Sequence, residues 1–241
     1  MADVEGRVAW HFSAFVASVC ILAVAAQAQP SRIILLRHAE KANAYKLCGV
    51  GGRRADALAA QYLGKGATKS LFAAGQAPAA FLGVTLHALE TITPAAQTWG
   101  LPVIDYSVVP GENDNEGDDA KEEQVARRTQ EAAQDLLSKP EFKGKIVVIS
   151  WEHKHIANKK LEQDTTLRQL LGLAGVKGVP DTWPGDNYDY FWIIDYAPSK
   201  STPSGFAMVK QAFAKPYDDL PSNDWTDKEQ SKTAEKDNCK E

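Results

Sequence analysis

Apolar positions in this chain fall into short continuous runs, separated by stretches in which apolar residues recur at helical spacing. Continuous runs of four to eight apolar residues are typical of strands that are buried on both faces. The clearest runs predict strands at residues 32–36, 80–85, 145–150 and 190–194, with weaker strands at 101–105 and 206–213. This pattern predicts a domain built on a sheet.

Residues between these runs carry apolar side chains three and four positions apart, which predicts helices. The predicted helices span residues 54–63, 94–99, 120–138 and 156–171, and a loop rich in glycine, asparagine and acidic residues spans 110–119. Thr93, with Pro94 in the first turn, is the expected cap of the second helix. Strands that alternate with helices indicate an α/β fold in three layers, with a mainly parallel sheet and helices on both faces.

The two ends of the chain differ in composition from its centre. An apolar stretch at 10–26 is followed by Ala26-Gln27-Ala28, whose small residues at −3 and −1 fit cleavage by signal peptidase. We therefore expect residues 1–28 to be a signal peptide and the chain to be exported. The alternative is an uncleaved N-terminal anchor that attaches the chain to a membrane through residues 10–26. Residues 29–217 form the domain, and the polar residues 218–241 predict a tail of low order.

Composition is that of an ordinary globular protein, with 241 residues, 44% of them apolar, and a net charge of −4. No basic excess points to a nucleic-acid partner. Export leaves Cys48 and Cys239 in an oxidising compartment, which permits a disulfide, but two free thiols are equally compatible with the sequence. The chain has no CxxC pair, so a structural zinc site is not expected.

Three histidines, His38, His87 and His153, follow the apolar runs directly. Ligands of open parallel sheets bind outside the carboxyl ends of the strands, so these imidazoles are predicted to converge on one pocket. Arg37, which precedes His38, offers a fork of donors that suits phosphate oxygens. Imidazole can act as a nucleophile, and a carboxylic acid nearby can protonate a leaving alcohol. Such a set can hydrolyse a phosphomonoester without a metal ion or another cofactor.

Three blocks of the sequence carry a resemblance to a known family. Leu35-Leu36-Arg37-His38-Ala39-Glu40-Lys41 resembles the Arg-His-Gly/Ala-Glu motif of the histidine phosphatase superfamily, which includes the phosphoglycerate mutases. The stretch 52–58, Gly-Arg-Arg-Ala-Asp-Ala-Leu, resembles the opening of that family's first helix, and Trp151-Glu152-His153 resembles the second histidine block of a bacterial branch. The resemblance, which spans about residues 32–195, implies a phosphoglycerate mutase-like fold. It also implies that His38 is the nucleophile, that Arg37 and His153 line the phosphate pocket, and that the exported chain is periplasmic or secreted.

The sequence departs from this family at one position of the pocket. A second arginine normally stands in an Arg-Ala-x-Glu-Thr segment, and here the segment reads His87-Ala88-Leu89-Glu90-Thr91. Arginine is always charged, whereas histidine is charged only near or below about pH 6.5. We therefore expect Arg37, His87 and Glu152 to bind substrate more weakly than the family pocket does, with activity that is low or biased to acidic pH.

The general acid is not fixed by the sequence. Glu112 is best placed by its order in the chain, Asp105 is next, and Glu152 adjoins His153 and can orient it or tune its charge. His155 is expected at the surface at the start of a helix. Arg53 and Arg54 are expected to be solvated on the first turn of the helix predicted at residues 54–63. The run Phe191-Trp192-Ile193-Ile194 is expected to be strand core, although nearby aromatic residues such as Tyr188 could line a pocket.

The expected function is therefore that of an exported, metal-independent phosphomonoesterase, which acts through a phosphohistidine on His38 and takes a small phosphorylated substrate. One alternative is a phosphate-ester-binding protein of the same fold that has lost turnover through the replacement at His87. Another is a metal hydrolase with His38, His87 and His153 as ligands, although the charge of Arg37 disfavours a cation there. A mutase is the last alternative, but an exported chain would not meet a glycolytic phosphoester. The sequence leaves the substrate's identity and the oligomeric state open.

Overall fold

The computed structural model describes residues 28–109, 118–198, 200–225 and Cys239. Within these residues, six strands form one sheet: β1 Arg32–Arg37, β2 Pro78–Gly83, β3 Val103–Asp105, β4 Ile146–Trp151, β5 Tyr190–Tyr196 and β6 Pro203–Lys210. The α-helices are α1 Gly49–Leu58, α2 Leu86–Trp99, α3 Asp118–Ser138, α4 His153–Ile156 and α5 Leu167–Leu170. A π-helical turn, Ala59–Leu63, extends α1, and a 3-10 turn, Pro140–Phe142, follows α3.

The sheet is mixed, with the strand order β3-β2-β4-β1-β5-β6. β3, β2, β4 and β1 run parallel to one another, and β5 and β6 form an antiparallel extension next to β1. In the central pair, Leu36 lies opposite Ser150 and Arg37 lies opposite Trp151. The prediction of a mainly parallel sheet is confirmed, and its two central strands end level with each other.

Helices cover both faces of the sheet, as the sequence predicts. Along β1, Ile33 and Leu35 face the layer formed by α3, α4 and α5, whereas Ile34 and Leu36 face the layer formed by α1 and α2. Because β1 is buried on both faces, its sequence is a continuous apolar run rather than an alternating one. The fold is thus a three-layer α/β domain.

Two helices begin earlier than predicted. α2 begins at Leu86 rather than at Pro94, because the Oγ1 atom of Thr85 accepts a hydrogen bond from the backbone N–H of Ala88 at 3.2 Å and caps the helix there. Pro94 consequently lies inside the helix. α1 begins at Gly49 instead of residue 54, which moves Arg54 from the first turn into the middle of the helix.

The prediction of one long helix at residues 156–171 is wrong. α4 ends at Ile156 because Ala157 adopts an extended conformation, and a polar segment follows in which Asp164 has a positive φ of 61°. A second short helix, α5, begins only after Thr166, whose side chain accepts a hydrogen bond from the backbone N–H of Gln169. The helical spacing of apolar residues in this region reflects two separate turns that pack against the same face of the sheet.

Part of the predicted tail is packed against the domain. Leu220 is buried, the ring of Trp225 lies 5.0 Å from that of Trp183, and the backbone N–H of Asn223 donates to Oδ2 of Asp189 at 2.7 Å. Low order is therefore wrong for residues 218–225. Cys48 and Cys239 form a disulfide, so the pairing that the sequence leaves open is present.

Several predictions fall on residues that the structure does not describe. Residues 1–27 of the expected signal peptide, residues 110–117 of the expected loop, and most of the chain after residue 225 lie outside the described residues. Among the helices that the structure does describe, none is both long and apolar enough to cross a membrane.

Candidate active site

The ends of β1 and β4 bring the two histidine blocks together. Because Arg37 lies opposite Trp151 in adjacent parallel strands, the residues that follow each strand emerge at the same edge of the sheet. The backbone N–H of His38 donates to the carbonyl of Trp151 at 3.1 Å, which extends the pairing by one residue. His38 and the Glu152-His153 pair therefore leave the sheet side by side.

His38 is completely buried and held at both ring nitrogens. Its Nδ1 atom lies 2.7 Å from the carbonyl oxygen of Ala39, and its Nε2 atom lies 3.1 Å from Oε2 of Glu152. The backbone N–H of Ala39 donates to Oγ1 of Thr91 at 2.8 Å, which anchors the loop after β1 to α2. This anchor fixes the carbonyl that orients the imidazole.

Arg37 is buried beside His38 and only partly satisfied. Its Nη1 atom donates to the carbonyl of Gly185, its Nη2 atom donates to the hydroxyl of Tyr188 at 3.1 Å, and the guanidinium lies 3.8 Å from the centre of the Tyr188 ring. The Nε atom is buried and has no hydrogen-bond partner among the described residues. A buried donor without a partner is costly, and a bound anion would satisfy it.

His87 reaches the same cluster from a helix rather than from a strand end. It is the second residue of α2, its ring centre lies 5.4 Å from that of His38, and its Nε2 atom lies 2.6 Å from the carbonyl of Asn43. Burial, together with the positive charges of His38 and Lys41, lowers the pKa of His87 to about 4. At neutral pH His87 is thus a neutral hydrogen-bond donor, not a substitute for a charged arginine.

Glu152 bridges the two histidine blocks. Its Oε2 atom faces Nε2 of His38, and its Oε1 atom lies 2.7 Å from Nδ1 of His153 at an angle outside that of a directed hydrogen bond. Burial on its own would raise the pKa of Glu152, but the charge of His38 and the contacts with both histidines hold it well below its usual range. Burial and the nearby Arg37 lower the pKa of His153 to about 4. The Glu152 carboxylate and the Arg37 guanidinium therefore lie close to two neutral imidazoles, those of His87 and His153.

A buried ion cluster that the sequence analysis missed supports the site from below. Nε and Nη2 of Arg54 donate to the Glu40 carboxylate at 2.9 and 2.6 Å, and Nη1 donates to Oδ1 of Asp189 at 2.8 Å. Glu40 follows Ala39, which orients His38, and Asp189 follows Tyr188, which stacks on Arg37. We call Arg54, Glu40 and Asp189 the Arg54 clamp, because it joins the two segments that hold the site.

The expectation that Arg54 is solvated is therefore wrong, whereas Arg53 is exposed as expected and pairs with Asp219. The helix start at Gly49 turns Arg54 toward the sheet. Gly51 permits the close approach of α1 to the loop after β1, since a Cβ atom at this position would lie 2.0 Å from the carbonyl oxygen of Glu40. The Gly-x-x-Arg block of the sequence marks this contact, but nothing local in the sequence identifies its partners.

The remaining predicted residues lie elsewhere. Glu112 lies outside the described residues, and Asp105, the last residue of β3, is exposed. His155 is buried rather than at the surface, with Nδ1 at 3.0 Å from the carbonyl of Thr165 and Nε2 at 3.0 Å from Oε2 of Glu122. Tyr188 is buried, contacts Arg37 and lies with its ring centre 6.2 Å from that of His38. The described residues contain no group of three or more His, Cys, Asp or Glu side chains arranged to hold a metal ion.

Comparison with known proteins adds little at the level of sequence. No protein-family model matches this chain, and no curated protein matches it in sequence. Two solved mycobacterial hydrolases are each 17% identical to this chain. The match to the first covers 77% of this chain and 92% of the hydrolase chain, with a TM-score of 0.42. The match to the second covers 76% of this chain and 100% of the hydrolase chain, with a TM-score of 0.44. A mycobacterial glucosyl-3-phosphoglycerate phosphatase is 15% identical, covering 76% of this chain and 99% of its own, with a TM-score of 0.43.

Proposed function

We propose that this chain is a metal-independent phosphomonoesterase of the histidine phosphatase type, with His38 as the nucleophile. The observation that carries the proposal is the buried, oriented imidazole of His38 next to a buried Arg37 Nε atom that has no partner. An oriented nucleophile beside an unsatisfied cationic donor is the arrangement that transfer of an anionic group requires. The three sequence blocks around His38, Arg54 and His153 support the same reaction.

The reaction proceeds in two displacements. Because Nδ1 donates its proton to the carbonyl of Ala39, Nε2 is the ring atom that attacks phosphorus. The Nε2–P bond forms as the ester P–O bond breaks, and the alcohol leaves with a proton. Water then attacks phosphorus, the Nε2–P bond breaks, and inorganic phosphate leaves. Neither step needs a metal ion or a cofactor.

The charges around the site suggest how phosphate is held. Arg37 is a permanent cation that stacks on Tyr188 beside His38, and its buried Nε atom has no hydrogen-bond partner among the described residues. His87 and His153 are neutral at pH 7, because their pKa values are lowered to about 4, and the one N–H of neutral His87 donates to the carbonyl of Asn43. Both rings gain charge as the pH falls toward these values. We therefore expect phosphate release to rise as the pH falls from 7.5 toward 4, and a flat or alkaline-favoured profile over this range would contradict this assignment.

Export is part of the proposal. The Ala26-Gln27-Ala28 sequence supports cleavage of a signal peptide, and the Cys48–Cys239 disulfide is of the kind that persists in oxidising compartments. We accordingly propose a periplasmic or secreted enzyme for a small phosphorylated substrate. Fractionation of a tagged chain, with N-terminal sequencing of the exported form, tests this: a chain that retains residues 10–26 in the membrane would instead be anchored.

The direct test of function is phosphate release from an aryl phosphate at pH 5 and pH 7.5 in the presence of a chelator. We expect phosphate release from the wild-type chain and none from a folded His38→Ala variant. We also expect the phosphoryl group of the ester to be found on the wild-type chain as an acid-labile phosphohistidine. Loss of wild-type activity in the chelator would favour a metal hydrolase. Tight binding of phosphate or vanadate by the wild-type chain without turnover would favour a binding protein.

A further inference from the structure

Glu152 has no chemical role in the scheme above, yet it lies against the atom that must attack. The Nδ1 atom of His38 faces the carbonyl oxygen of Ala39, and its Nε2 atom faces a carboxylate oxygen of Glu152. A carbonyl and an ionised carboxylate only accept hydrogen bonds, so an imidazole placed between them carries a proton on each nitrogen. The geometry thus describes a resting ion pair, with His38 as an imidazolium and Glu152 as a carboxylate.

An imidazolium has no lone pair on Nε2 and cannot attack phosphorus. The proton on Nε2 must leave first, and few of the described groups around Nε2 can accept it. Arg37 cannot accept a proton, Nε2 of His87 faces the carbonyl of Asn43, and Glu152 lies between His38 and His153. Glu152, whose Oε2 atom already lies 3.1 Å from Nε2, is the remaining acceptor.

We propose that Glu152 is a catalytic residue that takes the Nε2 proton of His38 and delivers it to the leaving alcohol. This inference rests on the proposed phosphatase function. In the first displacement the Nε2–H bond breaks and an Oε2–H bond forms, after which the Nε2–P bond forms, the ester P–O bond breaks, and the leaving oxygen takes the proton from Glu152. In the second, Glu152 takes a proton from the attacking water and returns it to Nε2 when the Nε2–P bond breaks. The resting pair is then restored.

Glu152 has to move during the first displacement. Phosphorus must approach Nε2 from the side that Oε2 now occupies, so the carboxyl group has to swing away as the phosphate binds. The side chain of Glu152 is 16% exposed, whereas that of His38 is fully buried, which gives the carboxyl group a solvent-facing direction. Glu152 occupies the cap position of α4 but makes no side-chain cap hydrogen bond, so the helix does not retain it. Transfer of the proton also removes the negative charge that would repel the phosphate.

The substitution Glu152→Gln keeps the size of the side chain and removes its ability to carry a proton. We expect it to lower kcat/KM, which reports only the first displacement, for an aliphatic ester such as glycerol phosphate by about 10²–10⁴-fold, the usual contribution of general acid–base catalysis. The fall for 4-nitrophenyl phosphate should be far smaller, because nitrophenolate leaves without a proton. Glu122→Gln is the matched control, since Glu122 also contacts a histidine, His155, and should leave the ratio of the two rates unchanged. An equal fall for both esters in Glu152→Gln would overturn the inference.

A second measurement does not depend on turnover. Nitrogen NMR of ¹⁵N-histidine-labelled protein at pH 7 should show His38 protonated on both ring nitrogens in the wild type, and as a neutral Nδ1–H ring in Glu152→Gln. A neutral His38 in the wild-type chain would overturn the resting pair. If the wild type hydrolyses neither ester, the proposed function fails. If it hydrolyses both and Glu152→Gln slows both equally, the function stands and only the role of Glu152 fails.

Discussion

Removal of the guanidinium from the Arg54 clamp is the most direct test of how this site is held. Arg54→Met leaves two carboxylates, Glu40 and Asp189, buried without their shared cation; all three side chains are at most 4% exposed. Removal of one partner from a buried ion pair costs about 3–5 kcal/mol, because a charge is left in a medium of low polarity. Two carboxylates depend on this one cation, so we expect a loss near 5 kcal/mol in the free energy of unfolding. Such a loss is a large part of the ~5–15 kcal/mol by which most domains are stable.

Urea unfolding at pH 7.5, followed by tryptophan fluorescence, measures this loss. Arg53→Met is the matched control: the neighbouring arginine pairs with Asp219 at the surface, and its loss should leave the unfolding midpoint unchanged. The loss in Arg54→Met should shrink as the pH falls, since buried carboxylates without a partner take up protons and lose their charge. Adding Glu40→Gln and Asp189→Asn to Arg54→Met should recover part of the lost free energy of unfolding, because the two buried charges are then removed. A loss below about 1 kcal/mol, or one that does not change with pH, would refute the reasoning.

Two further predictions concern stability. Because the pKa values of His87 and His153 are lowered to about 4 in the folded chain, the unfolded chain binds more protons below about pH 6.5, so the free energy of unfolding should fall between pH 6.5 and pH 4. This fall in the free energy of unfolding amounts to at most about 3 kcal/mol per histidine. The variant His87→Asn should show a smaller fall. A free energy of unfolding that stays constant between about pH 6.5 and pH 4 would contradict the prediction. Loss of the Cys48–Cys239 disulfide, which joins residues 191 positions apart, should cost up to about 5 kcal/mol through loop entropy. A reductant should therefore lower the midpoint of the wild type but not that of Cys48→Ser, and equal midpoints for the oxidised wild type and Cys48→Ser would disprove the contribution.

The strands and their role in assembling the site were predictable from the sequence. β1 and β4 are buried on both faces, and such strands carry continuous apolar runs that stand out from their surroundings. The rule that ligands bind at the carboxyl ends of parallel strands then places His38 and His153 together without knowledge of the register. The register between Arg37 and Trp151 adds only that the two strands end level.

Other features depend on contacts between distant residues, and local patterns do not encode them. Arg54 is buried because Asp189, 135 positions away, completes its set of partners. The contact of Tyr188 with Arg37, which lies 151 positions away, is equally long-range. The cap at Thr85 competes with an equally plausible Thr93-Pro94 start, and only the packing of α2 against the sheet decides between them. α4 likewise ends at Ile156 because the backbone of Ala157 is extended, and the spacing of apolar residues does not reveal this conformation.

The Arg54 clamp also binds a segment that lies far from the site in sequence. Nη2 of Arg54 donates to the carbonyl of Pro221 at 2.8 Å, and the amide of Asn223 donates to the Asp189 carboxylate. Local opening of residues 218–225 would expose these buried charges, so it cannot occur independently of the structure beneath His38. Exchange of the Asn223 amide hydrogen with solvent therefore reports how often the floor of the site opens. A ligand that binds at His38 and stabilises the site should therefore slow exchange at Asn223, although it does not contact Asn223.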